Sequence, residues 1–159
     1  MQSIKESYDR LLNSKEFKNE GFLCSVFLMT NAVDLEKSNW QIDFYEEKSQ
    51  KIISYTMDKT IKVEPKAEVF KEENKEIEKL DLTEIKVDLH ESITKSKMLL
   101  NKYKEEPTTI IIVLQKQGQT IWNISYVTKK FNLLNVKIDA ITGVILEEKL
   151  ASLLSFKKD

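Results

Sequence analysis

The chain has 159 residues, of which 41% are hydrophobic and 32% charged, a balance that suits one globular domain or two small ones. A formal net charge of −1 excludes a global field that would attract nucleic acid or an acidic membrane. One cysteine excludes an intramolecular disulfide framework, and three glycines with two prolines argue against long flexible linkers and glycine-rich phosphate loops.

The chain begins with a pattern that predicts a helix. Ser3 can cap it, and Glu6 stands at the capping-box spacing. One face of this helix carries Ile4, Tyr8, Leu11 and Leu12. The start, MQSIKESYDR, has no secretory signal, and no apolar run approaches the ~20 residues that span a bilayer. We therefore expect no membrane span and a cytoplasmic location, or an extracytoplasmic one if a signal was trimmed.

The next segments predict an antiparallel meander. Residues 22–29 are apolar on both faces, which favours a central strand with Cys24 buried in the core. Trp40, Ile42 and Phe44 alternate with polar residues and predict a second strand, followed by a turn at 46–49 and a return strand at 55–58. The strand at 60–63 ends near Pro65, and we expect residues 69–70 to reach the sheet.

A charged stretch, residues 71–79, divides the chain and predicts an exposed helix or a linker. We place a first unit at residues 1–72, a linker at 73–81 and a second unit at 82–159. The second unit is predicted to open with a short strand containing Leu82, Ile85 and Val87. Asp88 then caps a helix that has Glu91 at the capping-box spacing. The buried stripe of this helix comprises Leu89, Ile93, Ser96, Leu100 and Tyr103.

The remainder predicts a second meander. Residues 108–114 are the most β-prone run of the chain, and Gly118 lies at the turn that leads into the strand of Trp122. Leu134, Val136 and Ile138 predict the return strand, and residues 139–143 a turn closed by Gly143. Another strand begins at residues 144–146. The last apolar residues, Leu153, Leu154 and Phe156, are expected to cover a sheet edge.

The two meanders match one another. Residues 40–44 align with 122–126, and residues 55–58 fall where 136–139 fall. Leu-Leu-Asn occurs upstream of both, at 11–13 and at 99–101. We interpret this as a duplication. The predicted fold is α+β with two similar halves, each one helix packed on an antiparallel meander sheet, and the halves share one continuous sheet or form two.

The second half resembles a known family. Asp139-Ala140-Ile141-Thr142-Gly143 is similar to the signature that closes PepSY domains, and the Trp122 strand and the helix after residues 87–89 fit the same pattern. The resemblance covers residues 82–150. It implies a cystatin-like helix on an antiparallel sheet, and tandem copies more distantly resemble the β-lactamase-inhibitory proteins. Both resemblances imply binding or inhibition rather than catalysis, often beside peptidases.

Residues for chemistry are sparse. His90 is the only histidine, and as a base it would need a partnered nucleophile, whereas nearby Ser92 suits a helix start. One Cys and one His do not make a zinc site, and no calcium or phosphate motif is present. We expect no catalytic residue, no metal and no cofactor, and we expect that the protein is not an enzyme. An enzyme would instead place a polar cluster around His90 in a cleft.

A surface is therefore the first hypothesis for function. We expect a noncatalytic module that binds another protein, as an inhibitor or chaperone-like regulator of a partner such as a peptidase. The candidate surface is the sheet face away from the helices, which can equally be plain solvated sheet. Its predicted residues are Gln41, Asp43, Tyr45, Asn123, Ser125 and Val127. The alternative is a carrier of a small apolar ligand between helix and sheet, with a cavity near Trp122. Homo-oligomers could form through an exposed sheet edge.

Overall fold

The protein is an α+β fold in which two helices pack on one large antiparallel sheet. The computed structural model describes residues 1–69 and 75–157. Its helices are α1 (Ile4–Leu12) and α2 (Leu89–Lys102). Its strands are β1 (Phe22–Asn31), β2 (Gln41–Glu46), β3 (Lys51–Met57), β4 (Ile61–Val63), β5 (Ala67–Glu68), β6 (Pro107–Gln117), β7 (Gln119–Thr128), β8 (Asn132–Asp139) and β9 (Ile145–Ser152).

Strands from both predicted units join in a single sheet. The strand order is β4-β3-β2-β1-β6-β7-β8-β9, and β5 pairs with β3. The joint is the antiparallel pair β1–β6, in which Val26 faces Leu114 and Leu28 faces Ile112. These side chains belong to one buried apolar cluster that also takes in residues of both helices. The two helices therefore lie on the same face of the sheet, and one core is shared by residues of both predicted units.

Both helices begin where the capping residues predict. The Ser3 hydroxyl accepts from the backbone N–H of Glu6 at 3.1 Å, and the Glu6 carboxylate accepts from the N–H of Ser3 at 3.0 Å. The Asp88 carboxylate accepts from the N–H of Glu91 at 2.8 Å. These bonds satisfy backbone donors that a helix start leaves without an intrahelical partner.

The segment that leads into α2 differs from the prediction. The expected short strand at residues 82–87 is wrong, because Leu82–Glu84 forms a 3-10 turn. The Asp81 carboxylate accepts from the N–H of Thr83 at 2.9 Å and starts this turn, a capping signal that the apolar spacing hides. Leu80, placed in the linker from sequence, is buried and its N–H donates to the Leu23 carbonyl at 2.9 Å. Residues 75–79 contain no helix, and residues 70–74 lie outside the described residues.

The last apolar residues, which are expected to cover a sheet edge, follow the edge strand β9 in a short helix. β9 runs to Ser152, and a 3-10 helix, Leu153–Lys157, follows. The Leu153 N–H donates to the Phe131 carbonyl at 2.8 Å, while the Leu154 side chain is exposed. The side chain of Phe156 lies outside the described residues. At the other edge β5 ends at Glu68, one residue before the expected contact at 69–70, and Phe70 is likewise outside the described residues.

Candidate functional site

Neither helix covers the second face of the sheet, which we call the open face. The register places side chains in rows across this face. One row runs Gln41, Phe27, Val113 and Asn123, from β2 to β7. The next rows contain Asp43 beside Ser25 and Ser125 beside Ile111. In these rows the face is polar toward both sides and apolar at its centre, whereas Phe22, Tyr45 and Ile52 form a further row that is apolar.

The polar residues on the β1–β3 side form one hydrogen-bonded group, which we call the Asp43 cluster. The Asp43 carboxylate accepts from the Ser25 hydroxyl at 3.0 Å and from the Gln41 amide at 2.9 Å. The Gln41 amide also reaches the Ser54 hydroxyl at 3.5 Å. Asp43 is 7% exposed, so these donors compensate for burial of a charge. The cluster holds its side chains in fixed positions.

A second group, the Asn135 cluster, lies on β7 and β8. The Asn135 side-chain amide donates to the Asn123 oxygen at 2.6 Å and to the Ser125 hydroxyl at 2.8 Å. All three residues are half-buried. Each remains partly accessible while its orientation is fixed by its neighbours, which lowers the entropy that a partner must remove on binding.

An apolar stripe lies between the two clusters and was missed by the sequence interpretation. It consists of Phe27 and Met29 on β1 and Ile111 and Val113 on β6. Met29 is 61% exposed and the other three are half-buried. Residues 22–29 are apolar on both faces, and the sequence analysis interprets this as the sign of a central strand. The signal that could have found the stripe is that β1 and β6 each carry apolar residues at odd as well as even positions.

The six predicted surface residues do not share one environment. Gln41 belongs to the Asp43 cluster, whereas Asn123 and Ser125 belong to the Asn135 cluster. Asp43 is buried within its cluster. Tyr45 is also buried, and its ring packs edge-on against Phe22 with centroids 5.7 Å apart. Val127 is half-buried opposite Thr109. The structure therefore leaves Gln41, Asn123, Ser125 and Val127 accessible on this face.

On the helix face, the two tryptophans have matching surroundings. Trp40 and Trp122 are 2% and 1% exposed. The Trp40 indole N–H donates to the Gln2 carbonyl at 3.2 Å, and the Trp122 indole N–H donates to the Val87 carbonyl at 2.8 Å. Gln2 and Val87 each stand one residue before the N-cap of a helix. Each indole therefore fixes the start of one helix to the sheet.

A cavity of about 360 Å³ lies between the starts of α1 and α2, and we call it the indole cavity. Both tryptophans line it, together with Ile4, Leu82, Ile85 and Leu89. Lys5, Asp88 and His90 are the charged or titratable residues at its rim, and all three are exposed. A larger space of about 700 Å³ lies between α1 and residues 79–85 and has more polar and charged lining.

The structure does not bring His90 and Ser92 into a catalytic arrangement. His90 is exposed, while Ser92 is fully buried and its hydroxyl has no hydrogen-bond partner among the described residues. Within residues 1–69 and 75–157, no group of three or more His, Cys, Asp or Glu side chains could hold a metal ion. The absence of catalysis and of a cofactor stays a prediction.

Homo-oligomers are expected through an exposed sheet edge, and β9 forms one edge of the sheet. Seven of its eight residues are exposed, and it carries Glu147, Glu148 and Lys149 at its centre. Lys102 and Tyr103 of α2 both contact the Glu148 carboxylate, at 3.0 and 2.8 Å. These charges are typical of edges that resist pairing with another chain. Homo-oligomerisation through β9 stays a prediction.

Comparisons with known proteins show the fold alone. No protein-family profile matches the chain, and no curated protein matches it either. A solved structure described as a “putative lipoprotein” from Clostridium difficile 630 is similar, with a TM-score of 0.58 and 15% identity. The similarity covers 93% of this chain and 92% of that one. Among the described residues, no helix is long and apolar enough to cross a membrane.

Proposed function

We propose that the protein is a noncatalytic module that binds another protein through the open face of its sheet. The observation that carries this proposal is the apolar stripe, with Met29 61% exposed, between two hydrogen-bonded polar clusters. Protein interfaces combine an apolar centre with a polar rim, and this face has both in the same order. A role as inhibitor or chaperone-like regulator of a peptidase follows from the PepSY resemblance.

Burial of the apolar stripe would contribute favourably to association with a partner. Burying the apolar stripe would remove carbon surface from water at about 25 cal/mol per Å². The flanking amides and hydroxyls already have internal partners, so a partner need not order them. Asn123 and Gln41 keep further hydrogen-bonding capacity, since each side-chain amide has both donor and acceptor sites. The apolar stripe would contribute most of the binding affinity, and the two polar clusters would fix the position of the partner on the sheet.

We also propose that the chain arose by duplication of a PepSY-like, helix-on-sheet unit. The strand order is consistent with duplication. On one side of the β1–β6 pair the strands follow in chain order from β1 to β4, and on the other side they follow in chain order from β6 to β9. The matched indole bonds to Gln2 and Val87 support it independently. Arg10 and Lys95 are each the seventh residue of their helix. Arg10 donates to the Lys59 carbonyl in the turn after β3, and Lys95 donates to the Gly143 carbonyl in the turn after β8. Compartment, cytoplasmic or extracytoplasmic, stays a prediction.

The test compares two exposed methionines on opposite sides of the molecule. Met29 lies on the open face at 61% exposure, and Met98 lies on α2 at 66% exposure. Wild type, Met29→Glu and Met98→Glu are immobilised and exposed to the native proteome, and bound proteins are quantified. We expect one or more specific partners that are retained by Met98→Glu and lost by Met29→Glu. Finding no specific partner, or equal loss in both variants, would contradict the proposal.

A further inference from the structure

The indole cavity has the size and lining of a small-molecule site. Its volume of about 360 Å³ falls in the ~300–1,000 Å³ range of ligand pockets. It exceeds the ~150 Å³ of an engineered apolar cavity that holds benzene. Ile4 and Leu89, the first residues of α1 and α2, lie on opposite sides of it, and Leu82 and Ile85 add further apolar surface.

The polar groups around the cavity are already paired within the protein. Both indole N–H groups donate to backbone carbonyls, so neither is available to a ligand. The helix starts are capped by Ser3 and by Asp88, which satisfy backbone donors that an anion would otherwise bind. At the rim the positive charge of Lys5 is opposed by the negative charge of Asp88, and the Met1 ammonium is paired with the Glu36 carboxylate at 3.9 Å. An ion would lose hydration here without a compensating partner.

From these contacts we propose that the indole cavity binds a small, uncharged, largely apolar molecule, such as a two-ring aromatic or a short acyl chain. The ligand would lie between the two helix starts, against Leu82, Ile85 and Leu89 and beside the two buried tryptophans. This site is on the opposite side of the sheet from the open face and does not depend on protein binding there.

The chain provides its own reporter, because both of its tryptophans line this cavity. The probe is N-phenyl-1-naphthylamine, a neutral aromatic amine that accepts energy from excited tryptophan. Its charged counterpart, 8-anilinonaphthalene-1-sulfonate, carries the same ring system with a sulfonate. We expect saturable binding of the neutral probe with quenching of tryptophan emission, and weaker binding of the sulfonate. Absence of neutral-probe binding, or equal or tighter binding of the sulfonate, overturns the proposal.

Filling variants locate the site. Leu89→Phe and Ile4→Phe add volume to the cavity from α2 and from α1, and we expect each to weaken the neutral probe by about tenfold or more. Leu12→Phe adds the same ring to α1 but lines the larger neighbouring space, so its affinity should remain within about twofold of wild type. Circular dichroism identifies any variant that fails to fold. If one filling variant does not fold, the probe affinity of the other tests the location of the site. Equal weakening by Leu12→Phe, or unchanged affinity in the folded filling variant, overturns the assignment.

Discussion

The region at residues 1–69 and the region at residues 75–157 fix their helices in the same way but fill their interiors differently. In both, an indole bonds to the carbonyl before the helix cap. In both, a cation at the seventh helical position reaches turn carbonyls, Arg10 to Lys59 at 2.9 Å and Lys95 to Gly143 at 2.5 Å. The attachment of helix to sheet therefore uses the same two points in each region.

The core side chains that surround these attachment points differ between the two regions. In the first region Phe44 lies among aromatic rings, with centroids 5.2 Å from Phe17 and 5.8 Å from Tyr55. At the matching strand position of the second region stands Tyr126, whose hydroxyl is hydrogen-bonded to the buried Ser96. An aromatic cluster on one side thus corresponds to a buried hydroxyl pair on the other. Cores tolerate such exchanges when total volume is kept, whereas the anchoring indoles are the same in both.

The largest expected effect is the loss of either anchor. Trp40→Ala and Trp122→Ala each remove a buried ring and leave a carbonyl without its donor, and we expect a loss of about 3–5 kcal/mol in free energy of unfolding. Urea unfolding followed by circular dichroism measures it. Phe131→Ala, at a 62% exposed position, is the control and should change stability by less than about 0.5 kcal/mol. A large effect of only one tryptophan would show that the two anchors are not equivalent.

The loss of stability at alkaline pH should have one contribution from each region, and the two should begin at different pH values. Burial, reinforced by the nearby Asp43 charge, raises the pKa of the Cys24 thiol from 9.0 to about 12. Burial raises the pKa of the Tyr126 hydroxyl from 10.0 to about 12. The folded state prefers both protonated forms, so their stabilisation is complete below pH ~9 and is lost as pH rises toward ~12. At about 1.4 kcal/mol per pKa unit, the thiol contributes on the order of 4 kcal/mol and the phenol on the order of 3 kcal/mol.

Urea unfolding at a series of alkaline pH values measures this loss. Since the thiol titrates first in the unfolded chain, Cys24→Ala should remove most of the decline between pH ~9 and ~10. Tyr126→Phe should act only above that interval. An unchanged profile in the Cys24→Ala variant would show that the thiol is not buried as the structure has it.

Local patterns predicted the parts of this fold that depend on local interactions. Ser3 and Asp88 marked the helix starts, and alternation around Trp40 and Trp122 marked the strands, because caps and one-sided burial leave their signal in neighbouring residues. The sequence suggested a repeat, but the shared Leu-Leu-Asn misaligns it. Leu11 and Leu99 are 88 positions apart, whereas the two N-caps are 85 apart, since α2 has an additional turn.

Long-range pairing was the part that could not be predicted. The joint between β1 and β6 brings together residues 78 to 90 positions apart, and nothing in either strand alone specifies its partner. The apolar stripe exists only because of that pairing. In the sequence Phe27 and Met29 belong to one apolar run and Ile111 and Val113 to another, and each run is typical of a strand buried on both faces. The sequence therefore indicated the polar flanks of the open face but not the apolar stripe between them.

A smaller effect tests the turn that only the second region closes with glycine. Gly143 has φ +78°, and an added Cβ would lie 3.3 Å from Val87 Cγ2 and 2.6 Å from Lys95 Nζ. We expect Gly143→Ala to lower the free energy of unfolding by about 2 kcal/mol, through left-handed backbone strain, crowding against Val87 and displacement of the Lys95 ammonium. Gly118→Ala is the matched control, because its φ is +75° but nothing lies within 4 Å. It should cost about 1 kcal/mol from strain alone. Equal losses of stability in the two variants would show that an added methyl group at residue 143 is not crowded by its neighbours.

The smallest effect tests the interior difference directly. Ser96 donates to the Ile93 carbonyl at 2.9 Å, so in its pair with Tyr126 the phenol is the donor. Tyr126→Phe removes that one bond and keeps the ring, and we expect a loss of about 1 kcal/mol. The mirror change, Phe44→Tyr, places a hydroxyl among aromatic rings and should cost a similar amount, since burial without a partner is unfavourable. Chemical unfolding of both variants and of the double variant gives the comparison. If Phe44→Tyr stabilises the protein, a polar partner exists in the first region, and the two interiors are more alike than their side chains indicate.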